Sequence, residues 1–200
     1  MTATVSPAVV VLAAGEGRRF GGIKQLAEVA GQPMVRRIAC VALDSGLPVF
    51  VVIGAHADRV EAALDQLAVH IVRHPAWQAG MGSSLAAGIR CVQQTMPTAT
   101  AVLLCLADQP LIDAATLKNM CIRHASAPER ILVSAYGDAV GPPTLFPCDC
   151  FDALAGWNGT RGAQSLLQRE AQRVDLLPLS TGLDVDRPED LLQVRRWLER

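Results

Sequence analysis

Aromatic residues make up only 4% of this 200-residue chain and charged residues only 18%, with a formal net charge of −1. So few aromatics leave little to stack single-stranded nucleic acid on and few anchors for a protein interface. Without a basic excess there is no field to hold a polyanion. The expected partner is therefore a small molecule, with neither nucleic acid nor membrane involved. Long apolar runs are also missing. The longest unbroken ones, such as Ala8–Ala14 and Ala101–Ala107, fall far short of the ~20 residues of a membrane span. Met1–Pro7 carries no Lys or Arg ahead of the first run, so the charged start of a signal peptide is not seen. The six cysteines are scattered, and the C-x-C spacing of Cys148 and Cys150 matches no common zinc motif. Structural, reduced thiols and a cytoplasmic setting follow as expectations.

Half of the residues are apolar, ample for a core in one domain. Short aliphatic runs alternate with segments of helical period, the pattern of βαβ units around a mostly parallel sheet. Strands are predicted at residues 8–12, 49–53, 69–72, 101–106, 131–135, 144–146 and 174–177. The first shows no polar alternation, as in a strand covered on both faces. Helices are predicted at about 33–43, 58–67, from Ser83 or Ser84 as cap to Gln94, and 114–124 with Asp113 as N-cap. Two short helices follow, and a last one begins after Asp186, where Asp186-Arg-Pro-Glu189 offers a capping carboxylate.

Ligands of such sheets bind beyond the carboxyl ends of the strands. There the first loop reads Ala13-Ala-Gly-Glu-Gly-Arg-Arg-Phe-Gly-Gly-Ile-Lys24. Its glycines let the backbone turn N–H groups toward phosphate oxygens, and Arg18, Arg19 and Lys24 supply counter-charge. A dinucleotide fingerprint is excluded by spacing, since glycine stands at 21 and not at 20, and strand 49–53 lacks a following carboxylate. A P-loop fails because Ile23 occupies the lysine position.

Leu12-Ala-Ala-Gly-Glu-Gly-Arg-Arg-Phe-Gly21 with Lys24 resembles the L-A-A-G-x-S-x-R-M-G-x-x-K signature of nucleotidyltransferases with a GT-A-like fold, in particular the molybdenum cofactor cytidylyltransferase group. Gly17 and Phe20 depart from it. Gly80-Met-Gly-Ser-Ser-Leu85 is similar to the group's G-M-x-x-S-L segment beside the nucleotide base, and Leu104-Cys-Leu-Ala-Asp-Gln-Pro110 to its L-x-x-D-Q-P turn. Leu183-Asp-Val-Asp-Arg-Pro-Glu-Asp-Leu191 resembles D-x-D-T-P-E-D-L, and Gly141-Pro-Pro-Thr-Leu-Phe146 resembles G-x-P-x-x-F. The expected G-D-x-G-A-R appears altered, as Gly156-Trp-Asn-Gly-Thr-Arg-Gly-Ala163.

The resemblance implies a three-layer α/β/α Rossmann-like domain, with residues 1–112 as nucleotide-binding half and 113–200 as acceptor-binding half. It implies transfer of CMP from CTP to molybdopterin with release of pyrophosphate, and a receiving molybdenum hydroxylase or its chaperone as protein partner. Nucleotide contacts are expected from Leu12, Ala13, Ala14, Gly15, Arg19, Lys24, Gly80, Gly82, Ser83 and Ser84. Arg19, Lys24 and Asp108 are the expected catalytic groups. Asp108 and Asp184 are expected to hold Mg²⁺, Asp184 being preferred because Asp186 has the competing role of helix cap. Three alternatives stay open: GTP as donor, a sugar or polyol phosphate as acceptor, and a non-catalytic accessory protein that delivers cofactor.

Overall fold

In the computed structural model, residues 6–157, 163–180 and 182–199 are described. The elements in chain order are β1 (Ala8–Ala13), β2 (Glu28–Val29), β3 (Gln32–Pro33), α1 (Met34–Asp44), β4 (Val49–Ile53), α2 (Ala57–Ala62), β5 (His70–Arg73) and α3 (Met81–Thr95). They continue with β6 (Ala101–Leu106), α4 (Ala114–Ser126), β7 (Ile131–Tyr136), β8 (Ala139–Pro147), α5 (Phe151–Ala155), α6 (Gln164–Arg169), β9 (Val174–Pro178) and α7 (Asp190–Leu198). One seven-stranded sheet runs in the order β5-β4-β1-β6-β8-β7-β9. All pairings are parallel except those of β8 with β6 and β7.

Every residue of β1 is buried, because helices cover both faces. Val9, Val11 and Ala13 point into a cluster with Val35, Ile38, Leu117 and Met120 of α1 and α4. Ala8, Val10 and Leu12 point the other way, toward Leu85 and Ile89 of α3 and Leu154 of α5. Alternate side chains of one strand thus feed two cores, which removes any polar face and explains the continuous apolar run. This is the α/β/α sandwich that the alternating pattern predicts. A third, small cluster joins Val29 and Met34 to Val185 and to Val194 of α7, anchoring the chain's tail beside its first loop. Among the described residues no helix is long and apolar enough to cross a membrane.

Some local expectations are corrected. Neither Ser83 nor Ser84 caps α3: Gly80 is the N-cap, with no side-chain bond. The segment expected as a helix to residue 67 leaves the α-helix after Ala62 and continues in turns, with Gln66 in the left-handed region at φ 62°. The short strand expected at 144–146 is the nine-residue β8, antiparallel to both neighbours. Asp113 does cap α4, its Oδ1 accepting from the Thr116 N–H at 2.8 Å.

Candidate functional site

β1 and β6 lie side by side, so the loops after Ala13 and after Leu106 open at the same end of the sheet. The Ala107 N–H donates to the Leu12 carbonyl at 3.0 Å, closing the two strands just before the loops part. Between these loops and the start of α3 lies a cavity of about 460 Å³.

The first loop folds back on itself. Gly17 has φ +71°, and a Cβ there would lie 2.9 Å from the Gly22 carbonyl and 3.1 Å from the Lys24 Cβ. Only glycine fits, which accounts for the departure from serine at this position. Gln25, 4% exposed, braces the loop from beneath: its Nε2 donates to the carbonyls of Ala13 at 3.0 Å and Gly15 at 2.5 Å. With those carbonyls engaged below, the loop is held at the cavity wall.

At the cavity's charged end the Lys24 Nζ donates to Asp108 Oδ2 at 2.7 Å and to Asp186 Oδ1 at 3.0 Å. Arg19 meets the other oxygen of Asp186 at 3.2 Å from an exposed position. Burial pulls the Lys24 pKa down, but Asp108 and Asp186 together outweigh it and raise it above the ordinary lysine value. Reciprocally, the hydrogen bond from Lys24 holds the Asp186 carboxyl below the usual carboxylate range. The second oxygen of Asp108 is buried with no hydrogen-bond partner. Such an orphaned acceptor is costly and calls for a ligand.

Asp186 reaches this point because its segment is pinned on both sides. The Val185 N–H donates to the Asp108 carbonyl at 2.9 Å, and Gln109 Nε2 donates to Asp184 Oδ1 at 2.9 Å. Downstream, Asp190 Oδ2 accepts from the N–H groups of Asp186 and Arg187 at 2.9 and 2.8 Å. The expected capping role of Asp186 is not seen: Glu189 is the N-cap of α7, with no side-chain bond, and the Asp186 side chain is left facing Lys24. The reason for preferring Asp184 over Asp186 disappears. Asp184 does not line the cavity; desolvation, and the charges of Asp108 and Asp186, push its pKa up against the opposing bond from Gln109. Among the described residues no three His, Cys, Asp or Glu side chains are arranged to hold a metal ion by themselves.

The other sequence-predicted residues divide. Leu12, Ala13, Ala14, Gly15, Lys24, Gly80, Ser84 and Asp108 line the cavity. Gly82 and Ser83 do not: the Ser83 hydroxyl lies 2.8 Å from the Gly80 carbonyl and 3.0 Å from His74 Nε2, turned into the loop. Arg19 stays outside the lining, whereas Arg18 is part of it and pairs with Glu16 at 2.6 Å.

Gln25 and Trp77 escape the sequence reading, which ranks Asp186 behind Asp184. Trp77 fits because residue 54 is glycine; a Cβ at Gly54 would come within 2.5 Å of the Trp77 Cβ and 3.0 Å of the Ala14 Cβ. Gly54 follows a buried strand, a hint of close approach that only the partner's position makes readable. The altered stretch Gly156–Ala163 includes Asn158 and Arg161, which lie outside the described residues.

The cavity is thus cationic and carboxylate-rich at one end and lined by Trp77, Gly80 and Met81 at the other, a polarity suited to a phosphorylated nucleoside. Comparisons with known proteins agree. Nicotine blue oxidoreductase of Paenarthrobacter nicotinovorans is 32% identical over 198 residues, covering 92% of this chain and 94% of that one. The crystal structure of Rv0371c from Mycobacterium tuberculosis H37Rv superposes with a TM-score of 0.85 at 31% identity, covering 98% of this chain and all of the other. Its complex with manganese gives 0.79 at 28% identity, covering 96% and 99%. The model of the MobA-like NTP transferase domain matches residues 9–174. A phosphate-suited loop at the end of β1, an acidic turn at the end of β6 and a match across the sheet that carries both lead to one assignment: the chain belongs to the MobA-like NTP transferase domain family.

Proposed function

We propose that the protein transfers CMP from CTP to molybdopterin with release of pyrophosphate. The observation that carries the reading is the junction of Lys24, Asp108 and Asp186 at the floor of the cavity. Nucleotidyl transfer brings an anionic acceptor to an anionic α-phosphate, so charge neutralisation and in-line positioning do most of the work. Lys24, with Arg18 and Arg19 at the rim, would neutralise the triphosphate and the leaving pyrophosphate. Asp108 and Asp186 would hold Mg²⁺, which takes one or two carboxylates plus phosphate oxygens and waters. The orphaned oxygen of Asp108 and the hard donor set fit that ion. Bound there, it would polarise the α-phosphate. Asp184, outside the cavity lining, would be the group through which Gln109 positions the segment carrying Asp186. CTP is favoured over GTP by the likeness of Gly80–Leu85 to the cytidylyltransferase segment.

The test is pyrophosphate release in a screen of CTP and GTP against molybdopterin, a sugar phosphate and a polyol phosphate. Activity with CTP and molybdopterin supports the proposal, and turnover only with a sugar phosphate replaces the acceptor. Tight nucleotide binding without turnover would make the protein an accessory factor. Asp108→Asn should lower the rate at least about a hundredfold while the circular dichroism spectrum is kept; near-normal activity would reject the assignment.

A second reading comes from the relative called nicotine blue oxidoreductase, 32% identical across nearly the whole chain: redox chemistry on nicotine blue. Bleaching of nicotine blue with NADH or NADPH, in the absence of any nucleoside triphosphate, would favour it.

A further inference from the structure

The carboxylates proposed to take the metal are already in contact with a cation from the chain itself. Lys24 Nζ bonds to one oxygen of Asp108 and one of Asp186. Lys24 leaves the second oxygen of Asp108 free, but a dication bridging Asp108 and Asp186 would stand within a few ångströms of its ammonium group, and two cations that close repel strongly. We infer that Lys24 is a displaceable lock on the metal position, leaving when metal arrives with a triphosphate that gives its ammonium group a new counter-anion. This rests on Asp108 and Asp186 being the metal ligands.

Three features suit Lys24 to that exchange. Its ammonium group sits on an unbranched four-carbon stem that can swing by several ångströms, and the residue lines the cavity where phosphates are proposed to lie. Asp186 retains Arg19 as a partner when Lys24 departs. Asp108, by contrast, already holds an unpartnered buried oxygen, so it is the carboxylate with most to gain when a dication replaces the ammonium group. The consequence is cooperative loading: the metal alone competes with Lys24, whereas a metal–triphosphate pair rewards its release. Metal should therefore bind poorly without nucleotide.

Mn²⁺ binding measured by electron paramagnetic resonance separates the possibilities. Lys24→Gln should bind Mn²⁺ alone on the order of tenfold more tightly than the wild type, because its competitor is gone, and Asp108→Asn should bind it weakly. Tripolyphosphate should tighten Mn²⁺ binding to the wild type and leave Lys24→Gln nearly unchanged. If Lys24→Gln binds Mn²⁺ no better than a wild type that does bind it, the lock is overturned and the metal site stands. If no form binds Mn²⁺ with or without tripolyphosphate, the metal reading falls and takes the lock with it. A measurement on the unaltered chain guards against misfolding of the variant. Lys118, exposed on α4, is the other lysine, so brief acetylation read by mass spectrometry has an internal reference. Mn²⁺ should raise the labelling of Lys24 relative to Lys118, and added tripolyphosphate should lower it again. Constant Lys24 labelling across a Mn²⁺ series that saturates the site would overturn the inference.

Discussion

Gln25 shows how much one buried side chain can decide. Its amide satisfies two carbonyls at the root of the first loop, and the one on Ala13, a buried residue, has little access to water. Gln25→Leu keeps the bulk and removes both donors, so urea unfolding should show a loss of about 1–3 kcal/mol. Tripolyphosphate affinity should fall as well, because the loop would lose its support. If stability drops while affinity is untouched, the residue supports only the fold. The same reasoning applies to Asp186. Its place beside Lys24 could not be read locally, because Asp184 and Asp186 both precede a helix; the turn is held by Asp190, which accepts from the N–H groups of Asp186 and Arg187.

At the scale of elements, the site depends on segments being held against one another. Gln109 is 3% exposed and holds Asp184 across the gap between the turn after β6 and the strap before α7. Gln109→Ala should loosen that strap, lowering turnover several-fold more than it lowers the melting temperature would suggest, since Val185 and Val194 still bury their side chains. Equal loss of activity and stability would argue against a positioning role. The turn after β4 is constrained differently. Gly54→Ala puts a methyl group 2.5 Å from the Trp77 Cβ, so the indole must shift. The expected cost is about 1–3 kcal/mol of stability, with weaker nucleoside triphosphate binding and unaltered tripolyphosphate binding, both measurable by calorimetry. Loss of both ligands alike would place Trp77 outside the base end of the cavity.

For the molecule as a whole, pH acts through buried histidine. His124, 4% exposed in the last turn of α4, has its pKa lowered by burial, against a smaller opposing pull from Glu129. The unfolded chain therefore takes up this proton more readily than the folded one. Stability should be full above about pH 6.5 and decline as pH falls toward the folded-state value. His74 shifts in the same direction, through burial and Arg90. Thermal melts from pH 8 to pH 5 should show the decline, and His124→Gln should flatten part of it. An unchanged slope in that variant would reject the assignment.

Composition and periodicity alone determined the layered α/β architecture, because a strand buried on both faces must be apolar throughout and a helix lying on it must repeat every three to four residues. The same local rules located the first loop, and the resemblance of the turn after β6 singled out Asp108; the backbone settings of both follow directly from adjacent strands. What only the tertiary structure decided was which distant groups meet: Asp186 in place of Asp184 beside Lys24, Arg18 in place of Arg19 at the cavity wall, and Trp77 over Gly54. Lys24 and Asp186 are 162 positions apart. Their encounter is set by the register of β1 with β6 and by the anchoring of the tail through Val185. Local propensity carries no record of such long-range pairings, because they depend on how whole layers pack.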